Sequence, residues 1–410
     1  MQFTMSMSAL RRALACVLPI VNRSHLPVLE GVLIETRLDG VTFTVTDLAC
    51  RVTVAESAAV ITQGACVVPG SALRRLRHLR HVTKVRIEGL PPEKSTAAKP
   101  PFIDRVRVTP DEESPLHLVY ETETVAPAED FPSTLRARPE EAAVRTTVPR
   151  APLRALLTAI QPFASKDTTR PHLCGIFLAG SDNALAVTAT NGHRLSRYET
   201  AWEGNRKGFQ ALLDAVFVRR VLYVWTQRRK EDDGASVGLD VLRASPRVWL
   251  YDRGLDATAN MVEPGLFPGT DSIFAPPGPV PPEHIHVTVE IAHLRRALEA
   301  AMAFRESAQK GCVLKLAPGD RSKGVLGLVY EPRDEGRTRL SLAIPARFEG
   351  DGAVTRVGID VGYFLDVAKS AGGKDITLRI HGTKENEPVH LFEQRDDGVR
   401  GQHAIMPMRI

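Results

Sequence analysis

The feature that most constrains the fold is a threefold internal repeat. Leu10-Arg11-Arg12-Ala13-Leu14 returns as Leu153-Arg154-Ala155-Leu156-Leu157 and again as Leu294-Arg295-Arg296-Ala297-Leu298, at intervals of 143 and 141 residues. In each copy the apolar residues fall at helical spacing and the arginines share one face. A second helix-like segment follows in every third, at 71–76, 216–221 and 362–367. An alternating strand at 41–46 has a counterpart at 185–190, 144 residues on. Three landmarks in one order, at one period, imply a unit of about a third of the 410 residues. That period lies far above the roughly 20–50 residues of a solenoid repeat.

Each unit reads helix, strands, helix, strands. Residues 31–36, an Asp39-Gly40 turn and 41–46 carry a hairpin pattern. The expected class is therefore α+β: three similar domains, each an antiparallel sheet backed by two helices, over 1–140, 141–276 and 277–410. Linker chemistry marks the boundaries, in Phe131-Pro132-Ser133 with the charged run 136–141, and in the Pro-rich stretch 275–282. Exposed loops are expected at 91–101, 227–234 and 331–337.

Composition closes off several classes. With 43% apolar and 25% charged residues the chain is too apolar to be disordered. No apolar run approaches the ~18–20 residues needed to cross a bilayer, so no membrane association is expected. The apolar patch 13–21 behind Arg11 and Arg12 is interrupted by Pro19 and followed by Asn22, without a small-x-small cleavage site, which disfavours a signal peptide. Five scattered cysteines without a C-x-x-C argue against a disulfide framework or structural zinc and fit a reducing cytoplasm. A net charge of +5 is compatible with a polyanionic partner. His193 beside Arg194 invites a catalytic reading, but chemistry needs a nucleophile or convergent acid, and no catalytic motif accompanies it. The chain is expected to be non-catalytic, with no cofactor or metal.

Several short motifs carry a resemblance. They are Leu26-Pro27-Val28-Leu29, Glu129-Asp130-Phe131-Pro132, Thr190-Asn191-Gly192-His193-Arg194-Leu195, Leu266-Phe267-Pro268 and the final Met406-Pro407-Met408-Arg409-Ile410. With the repeat, they make the chain resemble the bacterial sliding clamp family, the beta subunit of DNA polymerase III, over essentially its whole length. The resemblance implies three DNA-clamp domains per subunit and a head-to-tail homodimer, closed as a ring around duplex DNA without regard to sequence. It implies a cytoplasmic processivity factor that tethers the polymerase III alpha subunit and other proteins carrying clamp-binding peptides, and that a clamp loader opens with ATP.

Site residues follow from the same resemblance. A peptide groove is implied at Leu173, Thr190, Gly192, His193, Arg194, Leu195, Pro268, Ile273, Tyr363, Met406, Pro407, Met408 and Arg409. Flexible, polarizable methionines suit a surface that accepts several peptides. Three departures lie nearby: Asp271-Ser272 where the family often has basic residues, Asn191 for the Asp of the central motif, and Asn386-Glu387-Pro388 in the wall segment. DNA contacts are implied at Arg23 and Arg170, and Arg74 and Arg75 are assigned with them from the charge that they, Arg77 and Arg80 place on the second helix, whereas Ala215-Val216 stand where the family commonly has a basic pair. Arg11, Arg12, Arg154, Arg219, Arg220, Arg295 and Arg296 read singly as solvated helix faces, and their repetition favours a track for phosphates. Phe304 matches an apolar dimer position, with the edge strand 116–124 as its expected partner; glutamates on an edge are also a device against pairing. The rival reading is a specialised paralogue, a protein-interaction decoy or inhibitor-tolerant variant without stable DNA encirclement.

Overall fold

The computed structural model describes residues 1–21, 23–79, 81–92, 103–110, 118–133, 135, 144–204, 208–228, 235–242, 246–262, 264–274, 283–304, 311–320, 323–330, 340–350, 356–381, 384 and 386–408. Among them lie six α-helices: α1 (Met7–Val17), α2 (Gly70–Leu76), α3 (Arg150–Ile160), α4 (Ala215–Gln227), α5 (Ile291–Ala303) and α6 (Val361–Ser370). All six segments with helical apolar spacing are helices.

Local chemistry sets the helix starts. The Ser6 hydroxyl accepts from the Ala9 amide at 3.2 Å to cap α1, and the Asp360 carboxylate accepts from the Tyr363 amide at 3.1 Å to cap α6. The buried stripe of α1 includes Leu10, Ala13, Leu14 and Val17, and that of α5 is Ile291, Leu294, Leu298 and Ala301. Both are the three- and four-residue steps that turn one helical face toward a sheet.

The chain forms two compact units. The first comprises Met1–Ala151 and Val216–Met261. Its five-stranded sheet runs Ala59–Thr62, Gln2–Ser6, Lys84–Leu90, Arg105–Pro110, Tyr120–Glu123. Its eight-stranded sheet runs Val144–Pro149, Ser236–Leu242, Arg247–Tyr251, Leu255–Asn260, Cys50–Ser57, Gly40–Thr46, Gly31–Arg37, Ala65–Pro69. The antiparallel pairing of Leu255 with Val54 through Ala259 with Cys50 makes this sheet continuous. The second unit comprises Pro152–Ala215 and Val262–Ile410. Its single twelve-stranded sheet runs Phe209–Asp214, Gly175–Gly180, Ala184–Thr190, Arg194–Ala201, Arg400–Ile405, Val389–Gln394, Asp375–His381, His284–Glu290, Leu340–Glu349, Lys323–Tyr330, Gly311–Asp320, Arg356–Asp360. Here the joining pair is Arg194–Ala201 against Arg400–Ile405, with Leu195 opposite Ala404.

The edge strand is shorter than its sequence pattern suggests. Of 116–124, only Tyr120–Glu123 is strand; Leu118 and Val119 are irregular, and 116–117 fall outside the described residues. Thr124 has already left the ladder, its amide and hydroxyl both donating to the carbonyl of Asp104. The 136–141 and 275–282 linkers, and most of the three expected loops, also lie outside the described residues.

Candidate functional site

The terminal motif residues gather around the hairpin of Ala184–Thr190 and Arg194–Ala201. Gly192 makes the turn at φ +88°, a left-handed conformation that side chains disfavour. Asn191 Oδ1 accepts from the amides of His193 (3.0 Å) and Arg194 (3.1 Å). The bond needs only a side-chain oxygen, so Asn here does the work of the Asp of the related motif. Thr190 completes the turn, donating to the Arg194 carbonyl at 2.7 Å and accepting from the Gly192 amide at 3.1 Å.

Successive strand residues face opposite sides of a sheet, so Arg194 and Leu195 part company. Arg194 is buried and tied inward. Its guanidinium lies 4.6 Å from the Tyr363 ring centre and 4.9 Å from that of Phe163. Nη1 donates to Asp366 and Nη2 to the Pro162 carbonyl, both at 2.6 Å. Arg194 therefore fixes Tyr363 from beneath, while the exposed His193 stacks beside the same ring at 6.5 Å and 16°. On the opposite face Leu195 closes a small cluster with Phe274 and Ala404.

The tail is pinned by its backbone and leaves its side chains accessible. The Met406 amide donates to the His193 carbonyl (2.9 Å) and the Met408 amide to Gly358 (3.0 Å). Met406 and Met408 are 47% and 36% exposed, and Ile273 is 40% exposed, so this end of the unit presents apolar side chains to solvent. Pro268 is exposed and Pro407 half-buried, whereas Leu173, in the turn Pro171–Leu173, is buried. Arg409 lies outside the described residues. The implied groove set is thus split into a supporting layer (Leu173, Thr190, Arg194, Leu195) and an accessible one. Phe163, Asp366 and Phe274, which no motif marked, belong to the supporting layer.

The implied DNA residues are all exposed and lie in different local settings. Arg23 precedes the turn Pro27–Glu30. Arg74 donates to the carbonyls of Leu18 (3.2 Å) and Val21 (3.3 Å), and Arg75 follows it on α2. Arg170 pairs with Asp167 at 3.1 Å and stands against the hairpin turn, 3.6 Å from where a Cβ on Gly192 would be. Several repeated arginines are structural instead. Arg11 donates to the Leu79 carbonyl, just past α2. Arg295 donates through Nε and Nη2 to the Ala368 carbonyl on α6 at 3.2 and 3.0 Å. The same motif position thus ties the first helix of a repeat to the second. Arg12 pairs with Glu56 and Arg220 with Asp47. Four of the seven repeated arginines thus have partners within the fold, while Arg219 and Arg296 are exposed.

Phe304, just past α5, is 51% exposed. On the edge strand, Glu121 is neutralised within its own sheet by Arg107 Nε at 2.6 Å and Arg105 at 3.6 Å.

Residues 1–89 match the family described as DNA polymerase III beta subunit, N-terminal domain. The beta sliding clamp of Caulobacter vibrioides is 24% identical over 416 residues, covering 100% of both chains. That of Chlamydia pneumoniae is 26% identical over 415 residues, covering 100% of this chain and 99% of the relative. Among solved structures, a sliding clamp from Pseudomonas aeruginosa bound to griselimycin superimposes with TM-score 0.80 at 20% identity, covering 100% of each chain. The beta subunit from Streptococcus pyogenes does so with TM-score 0.81 at 16% identity, again over 100% of each.

Proposed function

We infer that this chain, with the fold of beta sliding clamps from end to end and an N-terminal domain of the polymerase III beta family, is a DNA sliding clamp. The observation that carries the reading is full-length correspondence in both sequence and fold, on a chain whose helix pair recurs three times. The recurrence supports three domains, over 1–140, 141–276 and 277–410.

The mechanism is topological rather than catalytic. Two copies close head to tail around duplex DNA through the Phe304 region and the Tyr120–Glu123 edge. Exposed Arg23, Arg74, Arg75 and Arg170 supply non-specific attraction to phosphates. A ring need not bind tightly to remain on DNA, and tethering raises the local concentration of whatever it holds. His193, Pro268, Ile273, Tyr363, Met406, Pro407 and Met408 form the accessible surface for clamp-binding peptides of the polymerase alpha subunit, the clamp loader and other cytoplasmic factors. Apolar members take Leu or Phe side chains, and the hairpin turn orients the peptide backbone.

The test is retention. Protein assembled by a clamp loader on nicked circular DNA should remain through gel filtration and leave once the circle is linearised. Equal retention on linear DNA with free ends would mean conventional binding and overturn the reading.

A further inference from the structure

On the second unit's sheet, three adjacent strands place an arginine and four histidines side by side. His286 lies opposite Arg379, and Arg379 opposite His390. Two residues along, on the same face, His284 faces His381 with ring centres 5.0 Å apart at 57°. Arg379 is only 9% exposed. Its Nε, together with His284 Nδ1, His286 Nε2 and His390 Nδ1, is buried without a hydrogen-bond partner. A guanidinium stays charged whatever its surroundings, and buried charge is costly unless paired.

We propose that Arg379, with His286, His390 and the His284–His381 pair, forms a binding site for an oxyanion, a carboxylate or a phosphate group. The fixed positive charge of Arg379 repels a metal cation, although histidines alone would suit one. An oxyanion accepts from the guanidinium in a charge-assisted bond and from any imidazole in the matching tautomer. Three carboxylates border the patch and act on the imidazoles: Glu283 lies 3.8 Å from His284, Glu349 faces His286 across the strands, and Glu387 raises the proton affinity of His390. Burial first, then Arg379, outweighs them: His284 and His286 are held below the ordinary imidazole range and His390 at about 4. Arg379 is therefore the patch's fixed positive charge, and protonation of His284, His286 or His390 in acid adds to it. The site shares its sheet face with the apolar cluster, because His390 is the cross-strand partner of Ala404, which packs on Leu195 and Phe274.

The experiment follows the histidine imidazole signals of the full chain by NMR at constant ionic strength. Inorganic phosphate is titrated in one arm and acetate in the other. Saturable shifts of His286 and His390 are expected, with the His390 pKa rising by roughly one unit at saturation, which is roughly tenfold tighter binding to the protonated form. Arg379→Gln should abolish the saturation. If that variant does not fold, His390→Phe serves, with saturation by the probe at His286 weakened severalfold. Tighter phosphate than acetate assigns a phosphate ligand, and the reverse a carboxylate side chain. Shifts that stay linear with both probes, or a saturation unchanged by substitution, would overturn the site.

Discussion

Arg194 shows how firmly the fold can hold a residue of a short sequence motif. Its guanidinium sits between Phe163 and Tyr363 and is bonded to Asp366 and Pro162. Arg194→Met keeps much of the stem and removes the charge-assisted bonds. Asp366 is 40% exposed and can be rehydrated, so the loss should stay near that of a charged hydrogen bond, about 1.5–3 kcal/mol. Urea unfolding should read it as a lower midpoint with an unchanged slope. His403 makes the matching statement about pH. It is fully buried, 2.9 Å from Ser196 Oγ and edge-on to Tyr198. Burial, followed by Arg395, pushes its pKa down to about 3. The unfolded chain binds that proton near its ordinary value of about 6.5. Acid therefore favours unfolding: stability is complete above about pH 6.5 and falls as pH drops toward the folded value, by up to about 1.4 kcal/mol per unit. His403→Leu should flatten this limb in urea midpoints measured between pH 7 and 4, and an unchanged limb would reassign it to other groups. Asn191 could be marked in sequence only as a departure; that it keeps the acceptor oxygen of the turn is seen in its bonds from His193 and Arg194. The role of Arg194 was not legible, because Asp366 lies 172 residues away.

At the scale of elements, what could be read was what local periodicity encodes. All six helices follow from apolar residues spaced to face a sheet, and strands such as Gly40–Thr46 from alternation. The arginines that recur with them could not be apportioned, because a phosphate contact and a helix-to-helix tie look identical in sequence. Only the positions of the Leu79 and Ala368 carbonyls distinguish them. The same limit explains the overlong edge strand, whose alternation continues through Val119 although the ladder does not. It also explains Phe274, which lies in a non-periodic connector and packs with Leu195 and Ala404. The helix starts are testable directly. Asp360→Ala removes the acceptor for the Tyr363 amide and should destabilise the chain by about 1 kcal/mol. It should also loosen Tyr363, whose ring carries both Arg194 and His193. Thermal melts of Asp360→Ala beside Asp360→Asn, which keeps a capping oxygen, separate the cap from the charge.

For the molecule as a whole, the proposed function requires a closed ring, and the proposed closing contact is Phe304. About half of this aromatic residue is already covered within the subunit, since it is 51% exposed. Truncation should therefore spare the fold and remove mainly the area that a second subunit would bury. The proposed partner edge suits pairing better than its glutamates suggest. Glu121 is engaged by Arg105 and Arg107 on the neighbouring strand, so its charge is largely compensated before the subunits meet. An apolar aromatic in a desolvated interface typically contributes about 2 kcal/mol or more on truncation. Phe304→Ala should thus weaken the dimer by roughly 30-fold. The check needs no DNA: light scattering over a dilution series gives the dissociation constant, while the thermal midpoint of the isolated subunit should move little. A dilution curve superimposable on that of the unsubstituted chain would place the contact elsewhere. A large fall in midpoint would mean that the ring supports the fold of its own subunit rather than its neighbour.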